Sequence, residues 1–283
     1  VKTKYVVHPT TLDLFSTCKL KWKWSRTYKP RQVSPWLTFG EAIHLALEDY
    51  YSMESENFVE VFQKFMRANS VSIEGYDDLF ELGTKMLINY KERYELSETL
   101  EVLALEQEIA RRIPVPPDAE IIHQNLYVAA RIDGLVRDRN LNKVFVLEHK
   151  TFEKFYPQTL DLNHQFALEK YVAEGFYHGE DGVSGVIYNG LRKADKVGKG
   201  ANLFERVILY INEPQVSTAL YRAYYTLLQM IDPKLKVYPE PDSLKCNFCG
   251  FKVPCAEYMR GGDYQFYLDS LYEFQEDKGQ IWQ

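Results

Sequence analysis

Four consecutive apolar residues, Val144-Phe145-Val146-Leu147, run without a break into Glu148-His149-Lys150. The charges therefore end a hydrophobic strand instead of decorating a polar one. Side chains alternate faces along a strand, so Glu148 and Lys150 point one way and His149 the other. Asp133, in Ala130-Arg131-Ile132-Asp133-Gly134-Leu135, ends the preceding predicted strand. If the two strands pair through the turn at Arg137–Asn140, Asp133 comes close to Glu148. A Glu-x-Lys string alone is more often a surface ion pair; burial of the run that leads into it favours a site.

The surrounding periodicity fixes the fold class. Residues 37–55 carry Ile43, Ala46, Leu47 and Tyr50 at i, i+3, i+4 and i+7, the stripe of a helix packed on a core. Helical patterns also fill 56–70 and 77–96. From 99 to 152 the chain reads as three strands, a meander of antiparallel neighbours, separated by Pro114-Val115-Pro116-Pro117 and Arg137-Asp138-Arg139-Asn140. A helix over 161–178, strands at Gly185–Tyr188 and Val207–Tyr210 and a helix over 214–231 follow, which predicts an α/β fold with a mixed sheet and helices on its faces. The Pro-, Cys- and Gly-rich stretch 236–256 reads as a loop ordered by something other than an apolar core.

Two carboxylates beside a lysine suit a hard divalent cation, because Mg²⁺ takes oxygen ligands and keeps positions open for water and a phosphate. Such an ion polarises a phosphoryl oxygen and acidifies the attacking water, while Lys150 orients that water or meets developing charge. That is phosphodiester hydrolysis. Hydrophobic residues make up 46% of the chain and charged residues 26%, with no apolar run of membrane-spanning length and no secretory leader pattern at Val1-Lys2-Thr3-Lys4-Tyr5. We therefore expect no membrane association and a reducing, cytoplasmic setting (a host's cytoplasm if the chain is phage-encoded), where cysteines serve metals or catalysis sooner than disulfides. The net charge of −6 excludes a uniformly basic surface. Any polyanion must be met locally: by Lys19, Lys21, Lys23, Arg26, Lys29 and Arg31 interleaved with Trp22, Trp24 and Tyr28, or by Arg192 and Lys193 with Lys196 and Lys199. The first patch reads equally as a phosphate-and-base surface or as a solvated face over buried rings.

Gly40-Glu41-Ala42-Ile43-His44, then Asp133-Gly134, then Glu148-His149-Lys150-Thr151 resembles the RecB-like branch of the PD-(D/E)XK nucleases. The resemblance implies a restriction-endonuclease-like mixed sheet flanked by helices, with His44, Asp133 and Glu148 as ligands of Mg²⁺ or Mn²⁺. It also implies that the carbonyl of His149 contributes and that Lys150 is the catalytic lysine. The family carries a glutamine and a tyrosine four apart on the following helix; this chain has Gln165 and Tyr171, six apart and so about 120° from facing each other. Both are candidates for the catalytic set.

Cys246, Cys249 and Cys255 form one cluster, and Cys18 stands alone far upstream. This pattern resembles the iron–sulfur members of the same branch, among them the CRISPR-associated adaptation exonuclease, AddB-type and phage-encoded exonucleases. It implies that the four thiolates ligate a [4Fe–4S] cluster in a lobe built from both chain ends. Zn²⁺ is the rival occupant. The organisation expected is an N-terminal segment 1–36 supplying one cysteine, a helical insertion 37–98 bearing His44, a nuclease core 99–235, and a cysteine-bearing end 236–283. The activity expected is a metal-dependent deoxyribonuclease, exonuclease in preference to endonuclease, acting on single-stranded DNA or free ends in recombination, repair, phage DNA metabolism or CRISPR adaptation. Lys21, Lys23, Arg26, Arg192 and Lys193 would contact the nucleic acid, and a homo-oligomer or a recombination or adaptation partner protein stays open. The alternative is a non-catalytic DNA-binding or assembly protein that keeps the fold and the cysteine site.

Overall fold

The structure is a computed structural model that describes residues 3–31, 34–52, 57–70, 73–94, 99–121, 123–196, 198, 201–276 and 281–282. Lys199, and the outer ends of the helical stretches expected at 56–70 and 77–96, lie outside the described residues. The chain forms two compact units, one of Val1–Gln32, Ala110–Ala129 and Thr218–Gln283, the other of Val33–Ile109 and Ala130–Ser217. Among the described residues no helix is long and apolar enough to cross a membrane.

In the order of the chain, the elements are β1 (Lys4–Val7), α1 (Pro9–Thr17), α2 (Lys19–Thr27), β2 (Tyr28–Pro30), α3 (Pro35–Ser52), α4 (Phe58–Ala68), α5 (Tyr76–Arg93), β3 (Leu100–Arg112), β4 (Leu126–Asp138) and β5 (Lys143–Phe152). A 3₁₀ turn at Pro157–Leu162 leads into α6 (His164–Phe176), β6 (Val183–Arg192), β7 (Phe204–Tyr210) and α7 (Glu213–Ile231). A second 3₁₀ turn at Lys245–Phe248 precedes α8 (Lys252–Arg260), α9 (Tyr264–Leu271), β8 (Tyr272–Phe274) and β9 (Ile281–Trp282).

The second unit is a mixed sheet flanked by helices, in the strand order β7-β6-β5-β4 with β3 beside β4. β5 runs parallel to β6 and antiparallel to β4, and β6 runs antiparallel to β7. The β4–β5 turn forms because the Asp138 carboxylate accepts the backbone N–H groups of Asn140 and Leu141 at 2.9 Å, and Asn142 takes the left-handed conformation at φ 49° that Asn tolerates. Phe145, Leu147 and Ile187 pack on one side against Phe39, Ile43 and Leu47 of α3, Phe62 of α4 and Leu87 of α5. Alternation sends Val144 and Val146 to the opposite side, where α6 lies along β5 and β6 and Phe166 meets Tyr188 edge-on.

In the first unit β1 pairs in parallel with the opening residues of β4, Tyr5 opposite Leu126, and β9 pairs antiparallel with β1. The four-residue β1 and helices α1 and α2 carry too little periodicity to be read beforehand. The stretch 236–256 is not the open loop expected: it holds a 3₁₀ turn and the start of α8. Pro254 sits in the first turn of α8, where no intrahelical N–H is needed, so it does not break the helix. Nor does the stretch lack an apolar core. Phe251 stacks on Tyr272 at 4.8 Å, in a cluster with Leu20, Trp24 and Leu268.

Gly83 of α5 shows how tightly the helical layer is packed. A Cβ there would stand 2.1 Å from Cζ of the fully buried Phe62. Helix propensity favours alanine by about 1 kcal/mol, whereas forcing a methyl into a filled core costs about 1–3 kcal/mol. Gly83→Ala should therefore lower the unfolding free energy in urea titration, and pairing it with Phe62→Leu should recover part of the loss. A stabilised Gly83→Ala would contradict this packing.

Candidate functional site

The last paired residues of β4 and β5 are Gly134 and Leu147, so Asp133 and Glu148 stand opposite each other where the two strands part. Asp133 Oδ2 accepts the His149 backbone N–H at 2.7 Å, and its Oδ1 lies 3.5 Å from His44 Nδ1 on α3. Glu148, 3% exposed, is paired with the Lys150 ammonium and accepts a hydrogen bond from Gln165 Nε2 at 3.1 Å. Lys150 keeps 39% of its side chain exposed, so the charge beside Glu148 reaches the surface. Gln165 is placed by its neighbour: the Asn163 side chain caps α6 by accepting the Gln165 N–H at 3.0 Å.

His44, Asp133, Glu148, Lys150 and Gln165 are thus brought together. The His149 backbone joins them through Asp133, while its ring faces away, with Nδ1 2.8 Å from Asn189 Nδ2. Tyr171 does not share the face of Gln165, from which it is rotated by about 120° around α6. That face belongs to Glu169, one turn on, which sequence reasoning missed. Its Oε1 accepts from Gln165 Nε2 at 2.6 Å, and its buried Oε2 finds no hydrogen-bond partner among the described residues. The signal was available: a carboxylate at i+4 from Gln165, inside Phe166-Ala167-Leu168-Glu169. Glu106 on β3 was also missed. It is held by Arg131, takes a left-handed φ of 49°, and reads in sequence as an ordinary outward position.

Electrostatics mark this cluster as short of positive charge. Burial, then the charge of Asp133, pushes the Glu148 carboxyl up to about 7 in spite of Lys150. Burial and Glu148 likewise drive Glu169 well above the ordinary range, and burial with Asp133 raises Glu106. Asp133 goes the other way. Burial opposes its ionisation, but His44 and the His149 N–H hold it down to about 2. His44 is raised by Asp133 against the effect of burial. Among the described residues no three His, Cys, Asp or Glu side chains already stand in a geometry that would hold a metal ion. Their chemistry still fits one: oxygen donors from Asp133 and Glu148, an unpartnered buried oxygen on Glu169, and mutual repulsion that a hard cation relieves.

In the first unit all four cysteines line one cavity of about 210 Å³, walled by Leu20, Trp24, Phe251 and Met259. None is in a disulfide. Cys18 caps α2, its sulfur accepting the Lys21 N–H at 3.5 Å, and Cys246 accepts the Asp242 N–H at 3.3 Å. Burial and the other three thiols raise Cys255. Lys19 ties α2 to the C-terminal segment, donating from its ammonium to Glu240 at 2.8 Å and from its backbone at 2.9 Å.

Of the basic residues, Lys23 is exposed and Lys21 half-buried, while Arg26 lies 5.0 Å over the Trp22 ring. Trp22 and Trp24 are interior, so this patch is a charged face over buried rings and offers neither indole to a base. Arg192 is engaged with the carbonyls of Glu153 and Asn202 at 2.8 Å, and the Lys193 ammonium lies 4.8 Å over Trp36.

A raised carboxyl makes the cation-free protein sensitive to pH. Between the unfolded glutamate value of 4.5 and about 7, the folded chain holds a proton on Glu148 that the unfolded chain has lost. Stability from this group is complete below that window and is lost as pH rises through it. Relative to Glu148→Gln, cation-free wild type should lose on the order of 3 kcal/mol of unfolding free energy across it, by denaturant titration in chelator. A pH-independent difference would mean that Glu148 is not raised.

A family model described as the PD-(D/E)XK nuclease superfamily matches residues 7–256. Comparison with curated proteins returns no match. Because the matched stretch takes in both carboxylate-bearing strands, α3 with His44 and α6 with Gln165, the chain belongs to the PD-(D/E)XK nuclease superfamily.

Proposed function

We propose that this protein is a metal-dependent deoxyribonuclease that hydrolyses phosphodiester bonds, from DNA ends in preference to internal sites. The observation that carries the reading is the meeting of Asp133, Glu148 and Lys150 where β4 and β5 part, with Gln165 bonded to Glu148. Asp133 and Glu148, with His44 and the His149 carbonyl, would hold Mg²⁺ or Mn²⁺. Bound there, the ion supplies a Lewis acid for the phosphoryl oxygen and acidifies water. Lys150, anchored by Glu148 but open to solvent, orients the attacking water and meets charge that develops on the phosphate. Gln165 spans two carboxylates with one amide nitrogen and so aims Glu148. Lys21, Lys23, Arg26, Arg192 and Lys193 are the proposed phosphate contacts, and recombination, repair, phage DNA metabolism or CRISPR adaptation the proposed settings. Preference for ends rests on the resemblance to iron–sulfur exonucleases.

The four cysteines are proposed to ligate a [4Fe–4S] cluster with a structural role. Supporting this are their common cavity and the two N–H groups aimed at sulfur, contacts that tune such clusters. A cluster there would fasten α2 to the C-terminal segment, adding ligand binding free energy to folding.

Labelled linear and circular DNA, single- and double-stranded, should be degraded with Mg²⁺ or Mn²⁺, linear forms first. Lys150→Ala and Asp133→Ala should each lower kcat by roughly 10²–10³-fold. Equal degradation by wild type and both variants would assign the activity elsewhere, and DNA binding without cutting would favour an assembly role. For the second site, the purified protein should be brown and contain iron and acid-labile sulfide. Cys249→Ser should lower Tm and solubility more than it changes hydrolysis by the folded fraction. A colourless protein with zinc would select the rival metal, and unchanged unfolding of Cys249→Ser would remove the fastening role.

A further inference from the structure

Behind the carboxylates, on the α3 and α5 side of the sheet, lies a polar network that the proposed chemistry does not use. Arg206 of β7 is a half-buried cation that forms no ion pair with a carboxylate among the described residues. Its guanidinium lies 3.7 Å from the centre of the Tyr94 ring, and Nη2 donates to Tyr51 Oη at 2.9 Å and Tyr90 Oη at 3.0 Å. Its Nε donates to Asn189 Oδ1 at 3.3 Å. The Asn189 amide nitrogen faces Tyr90 Oη at 2.9 Å and His149 Nδ1 at 2.8 Å.

Donor and acceptor counting fixes the roles of Asn189, His149 and Tyr90. Arginine has no acceptor, so the atom of Asn189 that faces Arg206 must be the oxygen. The amide is thereby pinned, and both hydrogens of its nitrogen are spent on Tyr90 and His149. His149 Nδ1 must then accept, which leaves the ring proton on Nε2. Tyr90 already accepts from Arg206 and Asn189, so its own hydroxyl donates across the 2.7 Å contact to Tyr51. The half-buried guanidinium is met by hydroxyls, an amide oxygen and an aromatic ring in place of a carboxylate. What it secures here is a single orientation of the ring whose backbone N–H grips Asp133.

We propose that Arg206 is a positioning residue: through Asn189 it locks the His149 ring as the Nε2–H tautomer and so seats the β5 peptide that orients Asp133. The catalytic consequence rests on the nuclease reading; the lock itself does not. Partners of this kind set ligand orientation, and their loss typically costs about 10- to 100-fold in activity or metal affinity.

The test uses the full chain labelled with ¹⁵N-histidine. Long-range ¹H–¹⁵N correlation should show His149 as Nε2–H, with its backbone amide proton shifted downfield by Asp133. Asn189→Asp, close in size, places an acceptor against Nδ1 and should move the proton there. Arg206→Gln unpins the amide and should average the two ring forms, and Arg206→Lys, lacking the fork, should not rescue. In Asn189→Asp and Arg206→Gln the amide proton should move upfield and kcat should fall about 10- to 100-fold with KM for DNA unchanged. A wild-type Nδ1–H ring would overturn the lock, as would a switched ring that leaves amide shift and kcat untouched. The expected ring and amide shifts in a protein that cuts no DNA would uphold the lock and overturn the nuclease reading alone.

Discussion

Repulsion among buried carboxylates is the constraint on which the site-bearing unit depends. Asp133 and Glu148 are set opposite each other by strand register, and α6 adds Glu169 from one side. Such a group survives in a folded chain only if each oxygen is met by a donor or a cation. Asp133 is met by His44 and the His149 N–H and stays ionised; Glu148 has Lys150 and Gln165 and is still raised; Glu169 keeps one oxygen unmet. The gradient from satisfied to unsatisfied is directional. It rises from Asp133 through Glu148 to Glu169.

The cysteine cavity repeats this logic with softer atoms. Burial and the three other thiols at one apolar cavity raise Cys255, and a cation that accepts sulfur would relieve that. The two N–H groups aimed at Cys18 and Cys246 come from the backbone of α2 and of the loop after Pro241. The same segments are bridged by Lys19 and Glu240, while each N–H···S contact stays within its own segment.

What was legible in the sequence follows from range. Alternation along β5 separated Glu148 and Lys150 from His149, and the apolar stripe placed α3, because both depend on near neighbours. The four residues of β1 were not legible, since their partner Leu126–Val128 lies over a hundred positions away and so short a strand has no period to detect. Trp22 and Trp24 among lysines looked equally like a base-stacking surface and a covered core. Trp24 is covered by a cluster with Phe251 and Tyr272, distant residues that no local pattern announces, while Trp22 packs edge-on against Phe15. Pro254 misled for a related reason: proline breaks a helix interior but suits its first turn, and only the helix start decides which applies. Glu169 was legible in principle, because it stands four positions from Gln165, the family's spacing, where the family has a tyrosine; Tyr171 lies two positions further on.

The two faces of β5 cannot vary independently. His149 has its ring on the face of Asn189 and Tyr51, while its peptide sits between Glu148 and Lys150, and ring and peptide share one Cα. The contacts that hold the ring therefore bear on the same residue whose N–H holds Asp133. Carboxylates competing for too few donors would tolerate several arrangements of nearly equal energy if the strand beneath them could turn. A network that fixes the Asn189 amide and the acceptor role of His149 Nδ1 narrows that choice. The guanidinium network on one face and the unrelieved charge of the carboxylate cluster on the other are then linked through one residue: carboxylates held where their mutual repulsion is unrelieved need a scaffold that does not relax to relieve it.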